Sequence, residues 1–249
     1  TLSMADISAE FRYPHRPTMR RILRRLSHVA LKILTRFEVI GQENIPKSGP
    51  LLVVGNHFYF ADPVAALAVL PFPLEFFAST DRPAAPTIAK WIPDLWKVYP
   101  VEPGAGSRYA LKAAEAIMQQ NGVLGIFPEG GAWAQVLRPP RPGTAYVATR
   151  TSAPILPIGI TGMTETFSAL RRGRRTRLTV RIGPPFGPYS VNGRGRERRE
   201  QLEAIGHDIM QHIAALLPPE EHGVYAADPA RRAAAEAVAE HPWYANNDF

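Results

Sequence analysis

Residues 51–63 read LLVVGNHFYFADP. Four consecutive apolar residues, Leu51 to Val54, ending at Gly55-Asn56 give the signature of a short strand buried on both faces. Asp62-Pro63 then opens a helix running to about Leu70, with Asp62 placed as its N-cap and Pro63 at its first position. A buried strand feeding a helix is the repeating unit of an α/β sheet, and the rest of the chain continues it. Strands are expected at 74–78, 97–101, 123–127, 155–160 and 177–182, and helices at 86–92, 106–120, 143–152 and 196–217. The alternation predicts a single α/β domain with a mostly parallel or mixed central sheet flanked by helices.

The 249 residues, 45% of them hydrophobic, suffice for one sizeable core. Three regions are expected: an amphipathic helical segment over 1–37, the α/β domain over 38–217, and a helical tail over 218–249 packed on the domain. In the first, MRRILRRLSHVALKILTRF at 19–37 places Ile22, Leu26, Val29, Ile33 and Phe37 on one side, and Arg21, Arg25, His28, Lys32 and Arg36 on another. Such a helix serves either to pack on the domain or to lie on an anionic bilayer. In the tail, Asp228 and Pro229 start an alanine-rich helix, and Trp243, Tyr244 and Phe249 suit docking.

The chain has no cysteine, which removes disulfides, thiol nucleophiles and cysteine-based metal sites and suits a reducing compartment. No apolar run reaches the roughly 18 residues of a membrane span, and the first residues lack the basic-then-apolar order of a signal peptide. A formal charge of +7 favours an anionic partner, and six arginines between 171 and 181 concentrate it. No zinc-finger spacing, helix-turn-helix or aromatic RNA-binding strand accompanies that charge, so nucleic acid is not the expected partner. A GxSxG elbow and a metal-ligand cluster are also missing from the sequence, which argues against a serine hydrolase and a metallohydrolase.

Chemistry concentrates at two strand ends. His57 lies just past the 51–55 strand, five residues before Asp62. An imidazole accepts a proton near neutral pH, and a carboxylate on its other nitrogen fixes the tautomer and stabilises the imidazolium. At 123–131, VLGIFPEGG, another apolar run ends in Glu129-Gly130-Gly131, where glycines let main-chain N–H groups approach an anion.

NHFYFAD resembles the NHxxxxD signature of the glycerolipid acyltransferases, the family containing 1-acylglycerol-3-phosphate acyltransferase, and FPEG resembles its second block. The resemblance extends over about residues 38–185. It implies transfer of a fatty acyl group from acyl-CoA or acyl carrier protein to a hydroxyl of a lysophospholipid or related glycerolipid. His57 would be the base, Asp62 its orienting partner, and Glu129, Gly130 and Gly131 part of the acceptor site. The thioester would be a co-substrate, with no resident cofactor or metal. The setting would be the cytoplasmic face of an anionic membrane. A lipid-binding protein of the same fold without catalysis is the alternative. Two family arginines linked to acceptor phosphate are missing: Pro103 follows Glu102, and Gly131-Ala132-Trp133 follows FPEG where Thr-Arg is frequent. Arg138 and Arg141 in VLRPPRPG are the expected replacements, with Arg82 a further candidate.

Overall fold

The computed structural model describes residues 11–79, 96, 98–101 and 108–239. The expected helix at 86–92, Arg82, Glu102, Pro103 and the aromatic residues beyond 240 lie outside them. The chain order is α1 (Pro17–Leu34), β1 (Arg36–Ile40), β2 (Leu51–Gly55), α2 (Asp62–Val69), β3 (Leu74–Ser79), β4 (Tyr99–Val101), α3 (Arg108–Gln119), β5 (Val123–Ile126), α4 (Pro142–Thr151), β6 (Ile155–Thr161), α5 (Thr166–Arg171), β7 (Arg177–Ile182), α6 (Gly195–Ala214) and α7 (Pro229–Glu236).

Among the described residues seven strands form one sheet in the order β1-β7-β6-β2-β5-β3-β4. Neighbours from β6 to β4 run parallel, β7 runs antiparallel to β6, and β1 follows β7 in parallel. The sheet is therefore mixed, and β2 lies at its centre with every residue from Leu51 to Gly55 buried. Side chains alternate across it: Leu52 and Val54 join α3, α4 and α6 on one face. Leu51 and Val53 join α1 and α2 on the other. Burial on both faces explains the unbroken apolar run in the sequence.

The direction of the strands places the chemistry. The carboxyl ends of β2, β5 and β6 share one edge of the sheet, a position where α/β folds open clefts. Because β7 is antiparallel to β6, with Thr161 opposite Thr179, its first residues reach that same edge. Arg36 of β1 pairs with Arg177 there.

Helix α1 differs from its sequence reading in extent, and of the two orientations left open there it takes the one with the apolar stripe outward. It stops at Leu34 rather than 37, because Thr35 turns extended and folds its hydroxyl back onto the Leu31 carbonyl at 2.6 Å. Phe37 belongs to β1, whose exposure alternates with the strand period of two. The helix packs inward through Arg20 and Leu31, which are buried, and through His28, whose Nδ1 meets the Ala68 carbonyl at 3.1 Å. Its apolar stripe faces outward, with Ile22, Leu26, Val29 and Ile33 between 48% and 65% exposed. Polar contacts join Leu23 and Leu31 in holding the helix down. Arg20 Nη2 donates to Glu75 Oε2 at 2.6 Å and to the Trp96 carbonyl at 3.1 Å, and Nη1 donates to the Leu74 carbonyl at 3.1 Å.

The end of the chain does more than pad the surface. After α6, residues 217–226 cross back to the loop that follows β5. The Leu137 N–H donates to the Glu221 carbonyl at 3.0 Å, and the Val224 N–H donates to the Leu137 carbonyl at 3.1 Å. Between them Gly223, at φ +55°, lies so close that a β-carbon would sit 1.9 Å from the Leu137 oxygen. The expected cap of α7 is present, with Asp228 accepting the Ala230 N–H at 2.8 Å.

Candidate active site

Register brings the two marked motifs together. Val54 of β2 is opposite Ile126 of β5. His57 and Glu129 each lie three residues further along adjacent parallel strands. The His57 main-chain N–H donates to Glu129 Oε1 at 2.8 Å. Just before it, Asn56 clasps the neighbouring strand: its amide donates to the Ile160 carbonyl at 2.8 Å and accepts the Ile160 N–H at 2.7 Å. The start of the loop that carries His57 is thus tied to β5 on one side and β6 on the other.

The FYFA segment makes a compact turn, and His57 Nδ1 lies 3.3 Å from Asp62 Oδ2. The same oxygen accepts the Phe58 and Tyr59 N–H groups, each at 2.7 Å. Asp62 differs here from its expected place. Ala61 is the N-cap, Asp62 is the first helical residue, and the carboxylate reaches backward into the loop instead of capping its own helix. Burial pushes its carboxyl up from the usual carboxylate range, while His57 and the two N–H groups pull it down. Three donors around one buried oxygen suit an anion.

With Nδ1 directed at Asp62, the proton there is donated to the carboxylate and Nε2 keeps a lone pair. The imidazole lies flat against Phe127 at 4.5 Å between ring centroids, and Phe127 stacks in turn on Phe76 at 5.8 Å. The ring is held by a carboxylate on one edge and by aromatic carbon on a face. Its side chain remains 17% exposed. This arrangement can remove a proton from a hydroxyl and return it to a leaving group.

Glu129 and Arg138 are buried together. Arg138 Nε donates to Glu129 Oε2 at 3.0 Å, its main-chain N–H to the same oxygen at 3.2 Å, and Nη2 to the carbonyls of His57 at 3.2 Å and Gly131 at 2.5 Å. Trp133 covers the guanidinium, with its ring centroid 3.5 Å from Cζ. Burial pushes the Glu129 carboxyl up and the Arg138 guanidinium down, and each opposes the shift in the other. The pair braces the loop around His57 from inside the protein. Arg138 is 1% exposed, so its geometry is that of a brace rather than of an outward-facing phosphate ligand.

Arg141 is placed differently. Its main-chain N–H donates to the Pro128 carbonyl at 2.7 Å, its side chain is exposed, and its Cγ passes over Gly130, where a β-carbon would come within 3.0 Å. Gly130 takes φ +80° and closes a turn by donating its N–H to the Phe127 carbonyl at 3.0 Å, so that N–H is already paired.

Sequence reasoning missed Trp133, Asn56 and the Glu221 segment. Asn56 was visible as the residue before His57, and the other two became legible only through tertiary contacts. Among the described residues no group of three or more histidine or acidic side chains is arranged to hold a metal ion. No described helix is long and apolar enough to cross a membrane.

A family model for acyltransferases matches residues 36–161, the stretch from β1 to the end of β6 that holds both motifs. The chain belongs to the acyltransferase family. It is similar to PlsC, the 1-acyl-sn-glycerophosphate acyltransferase of Thermotoga maritima, with a TM-score of 0.54, 22% identity, and coverage of 82% of this chain and 85% of that one. That likeness is one of fold. Two uncharacterized mycobacterial proteins, Rv0502 of Mycobacterium tuberculosis and Mb0514 of Mycobacterium bovis, are each 30% identical over 186 residues, 68% of this chain. The match spans about half of the length of these relatives, 49%.

Proposed function

We propose that this protein moves a fatty acyl group from an acyl-CoA or acyl carrier protein thioester to the hydroxyl of a lysophospholipid or related glycerolipid, 1-acylglycerol-3-phosphate among them. The observation that carries this reading is the His57–Asp62 pair, 3.3 Å apart at the open edge of the sheet, with Nε2 of the ring left unpartnered by the dyad. His57 takes the proton of the acceptor hydroxyl as its oxygen attacks the thioester carbonyl. The C–S bond then breaks, and the imidazolium returns the proton to the thiolate. Asp62 stabilises the transient imidazolium, and Glu129 and Arg138 fix the loop that carries both. Gly131 and Arg141 line the acceptor side with Gly130, and the exposed Arg141 is the better placed of the two arginines for an acceptor phosphate.

The same reading places the enzyme at a membrane surface, peripherally and at its cytoplasmic face. Two observations support it. The outward stripe of α1 is apolar and is flanked by exposed Arg21, Arg25 and Lys32. At the catalytic edge, Arg36, Arg174 and Arg175 surround an open depression of about 440 Å³, suited to anionic headgroups.

The test is thiol release from acyl-CoA and from acyl carrier protein in the presence of a panel of lysolipids, with products identified by mass spectrometry. Acceptor-dependent release with a matching acylated product is expected. Lipid binding without release from either donor would instead favour a non-catalytic lipid-binding protein.

A further inference from the structure

The loop that carries His57 also carries aromatic rings that the proposed chemistry does not use. Tyr59 and Phe60 lie between His57 and Asp62, with ring centroids 4.5 Å apart. Phe167 reaches them from α5, at 5.9 Å from Tyr59 and 5.8 Å from Phe60. Helix α5 turns Thr166 and Ala169 inward, which leaves Phe167 outward and 45% exposed. Three adjoining rings at a surface form a patch rather than an isolated exposed residue. We infer that Phe167, with Phe60 and Tyr59, is a point of contact with bilayer hydrocarbon beside His57, turning that residue toward acceptors held in the membrane. The inference rests on the membrane setting proposed for the enzyme.

Charge and connectivity favour a bilayer as the occupant. The segment from Glu165 to Arg177 carries arginine at 171, 172, 174, 175 and 177, against the single carboxylate of Glu165, and all of these residues are exposed. An apolar patch bordered by arginines matches the acyl chains and anionic headgroups of a phospholipid surface, where aromatic rings are favoured at the boundary. The patch is also joined to α1. Arg175 Nη2 donates to the carbonyls of Lys32 and Thr35 at the end of that helix, and Thr176 Oγ1 lies 3.1 Å from Thr166 Oγ1 on α5. The depression lined by Arg36, Arg174 and Arg175 sits at this junction. The turn after α5 is thereby fastened to the last turn of α1, whose Ile33 and Leu34 are exposed. Helix α1 supplies most of the apolar area for attachment, and the aromatic trio fixes which edge of the domain meets the lipid.

Because the chain has no cysteine, a single one can be introduced and labelled with an environment-sensitive fluorophore in the full chain. Phe167→Cys is compared with Leu26→Cys on the α1 stripe and with Lys112→Cys, an exposed position on α3 across the sheet from α1. The vesicles contain equal parts of phosphatidylglycerol and phosphatidylcholine with a nitroxide quencher lipid. Donor and acceptor are left out, so a bound substrate chain cannot give the signal. The expected result is a blue shift and quenching at positions 167 and 26 but not at 112. Quenching at 26, with 167 as solvent-exposed as 112, overturns the inference and leaves membrane binding intact. No quenching at either position overturns both. This readout does not depend on turnover. With acceptor carried in vesicles, Phe167→Ala should raise the apparent KM about 3- to 10-fold through lost apolar contact, and Phe167→Leu should restore most of it. An unchanged KM in Phe167→Ala would count against the contact.

Discussion

Arg138 and Glu129 form a buried ion pair, joined at 3.0 Å, that also hydrogen-bonds the main-chain carbonyl and N–H of His57. Removing one member leaves the other charge buried without its partner, the costly way to break such a pair. Arg138→Met should lower stability by about 3–5 kcal/mol. Arg141→Ala, at an exposed position, should lie within about 0.5 kcal/mol of wild type. Urea unfolding measures both. An Arg138→Met protein as stable as the wild type would remove the bracing role.

His57→Ala should lose acyl transfer by at least about 100-fold, the lower end of what a positioned acid-base group contributes. Because the ring stacks on Phe127 and bonds Asp62, a melting temperature measured beside thiol release separates the chemical loss from any loss of folding. Asp62→Asn should also cost turnover, since the amide cannot stabilise the imidazolium. The variant keeps an oxygen for the Phe58 and Tyr59 N–H groups. A melting temperature near wild type with a large fall in kcat is the expected outcome, and wild-type kcat would refute the orienting role.

Glu221 predicts how stability depends on pH. Burial pushes its carboxyl up to about 7 from the ordinary glutamate value of 4.5, so the native state holds a proton that the unfolded chain releases. Its contribution is fully present below about pH 4.5 and is lost as pH rises through about 7. The stability of wild type relative to Glu221→Gln should therefore fall between pH 5 and pH 8. Paired urea curves at those two pH values measure the difference, and a constant gap would show that the carboxyl does not titrate in this window.

Much of this site was legible in the sequence because it lies where strands end. The run Leu51–Val54 is buried on both faces, so its apolar continuity marked a central strand, and His57 had to follow at an edge. Pairing of His57 with Asp62 followed from a short loop between strand and helix. The burial of Arg138 was not legible because one sequence carries charge but not direction: an arginine three residues from Arg141 turns inward to meet Glu129. Helix α1 shows the same limit. Its period was plain, yet the face that packs is the one with Arg20 and His28, since the buried carboxylate of Glu75 and the carbonyls of Leu74 and Trp96 accept Arg20. The contribution of residues 217–226 depends on contacts some 80 residues away in sequence, which no local pattern encodes.

The Arg20–Glu75 pair is the anchor of that helix. Glu75 is fully buried and accepts Arg20 together with the His15 N–H at 3.1 Å. Glu75→Gln should destabilise by about 3–5 kcal/mol through the guanidinium left without a counter-ion. Hydrogen exchange should show the loss concentrated in α1. Uniform loss across the sheet, with α1 no more affected than β2, would mean that the pair supports the domain as a whole instead of the helix.

The exposed stripe gives the membrane proposal its sharpest variant. Leu26 and Ile33 are among the most exposed large apolar side chains described, at 60% and 65%, so a charge at either costs the fold little. Leu26→Glu with Ile33→Glu should leave the melting temperature nearly unchanged. The pair of changes should abolish sedimentation with vesicles containing anionic phospholipid, because each glutamate both removes buried apolar area and repels the headgroups. Wild-type binding should weaken as salt rises, which tests the part played by Arg21, Arg25 and Lys32. Turnover on a short-chain, water-soluble acceptor should be retained by the double variant. If it still sediments like the wild type, the stripe is not the docking face, and the arginines at the catalytic edge would have to provide the attachment on their own.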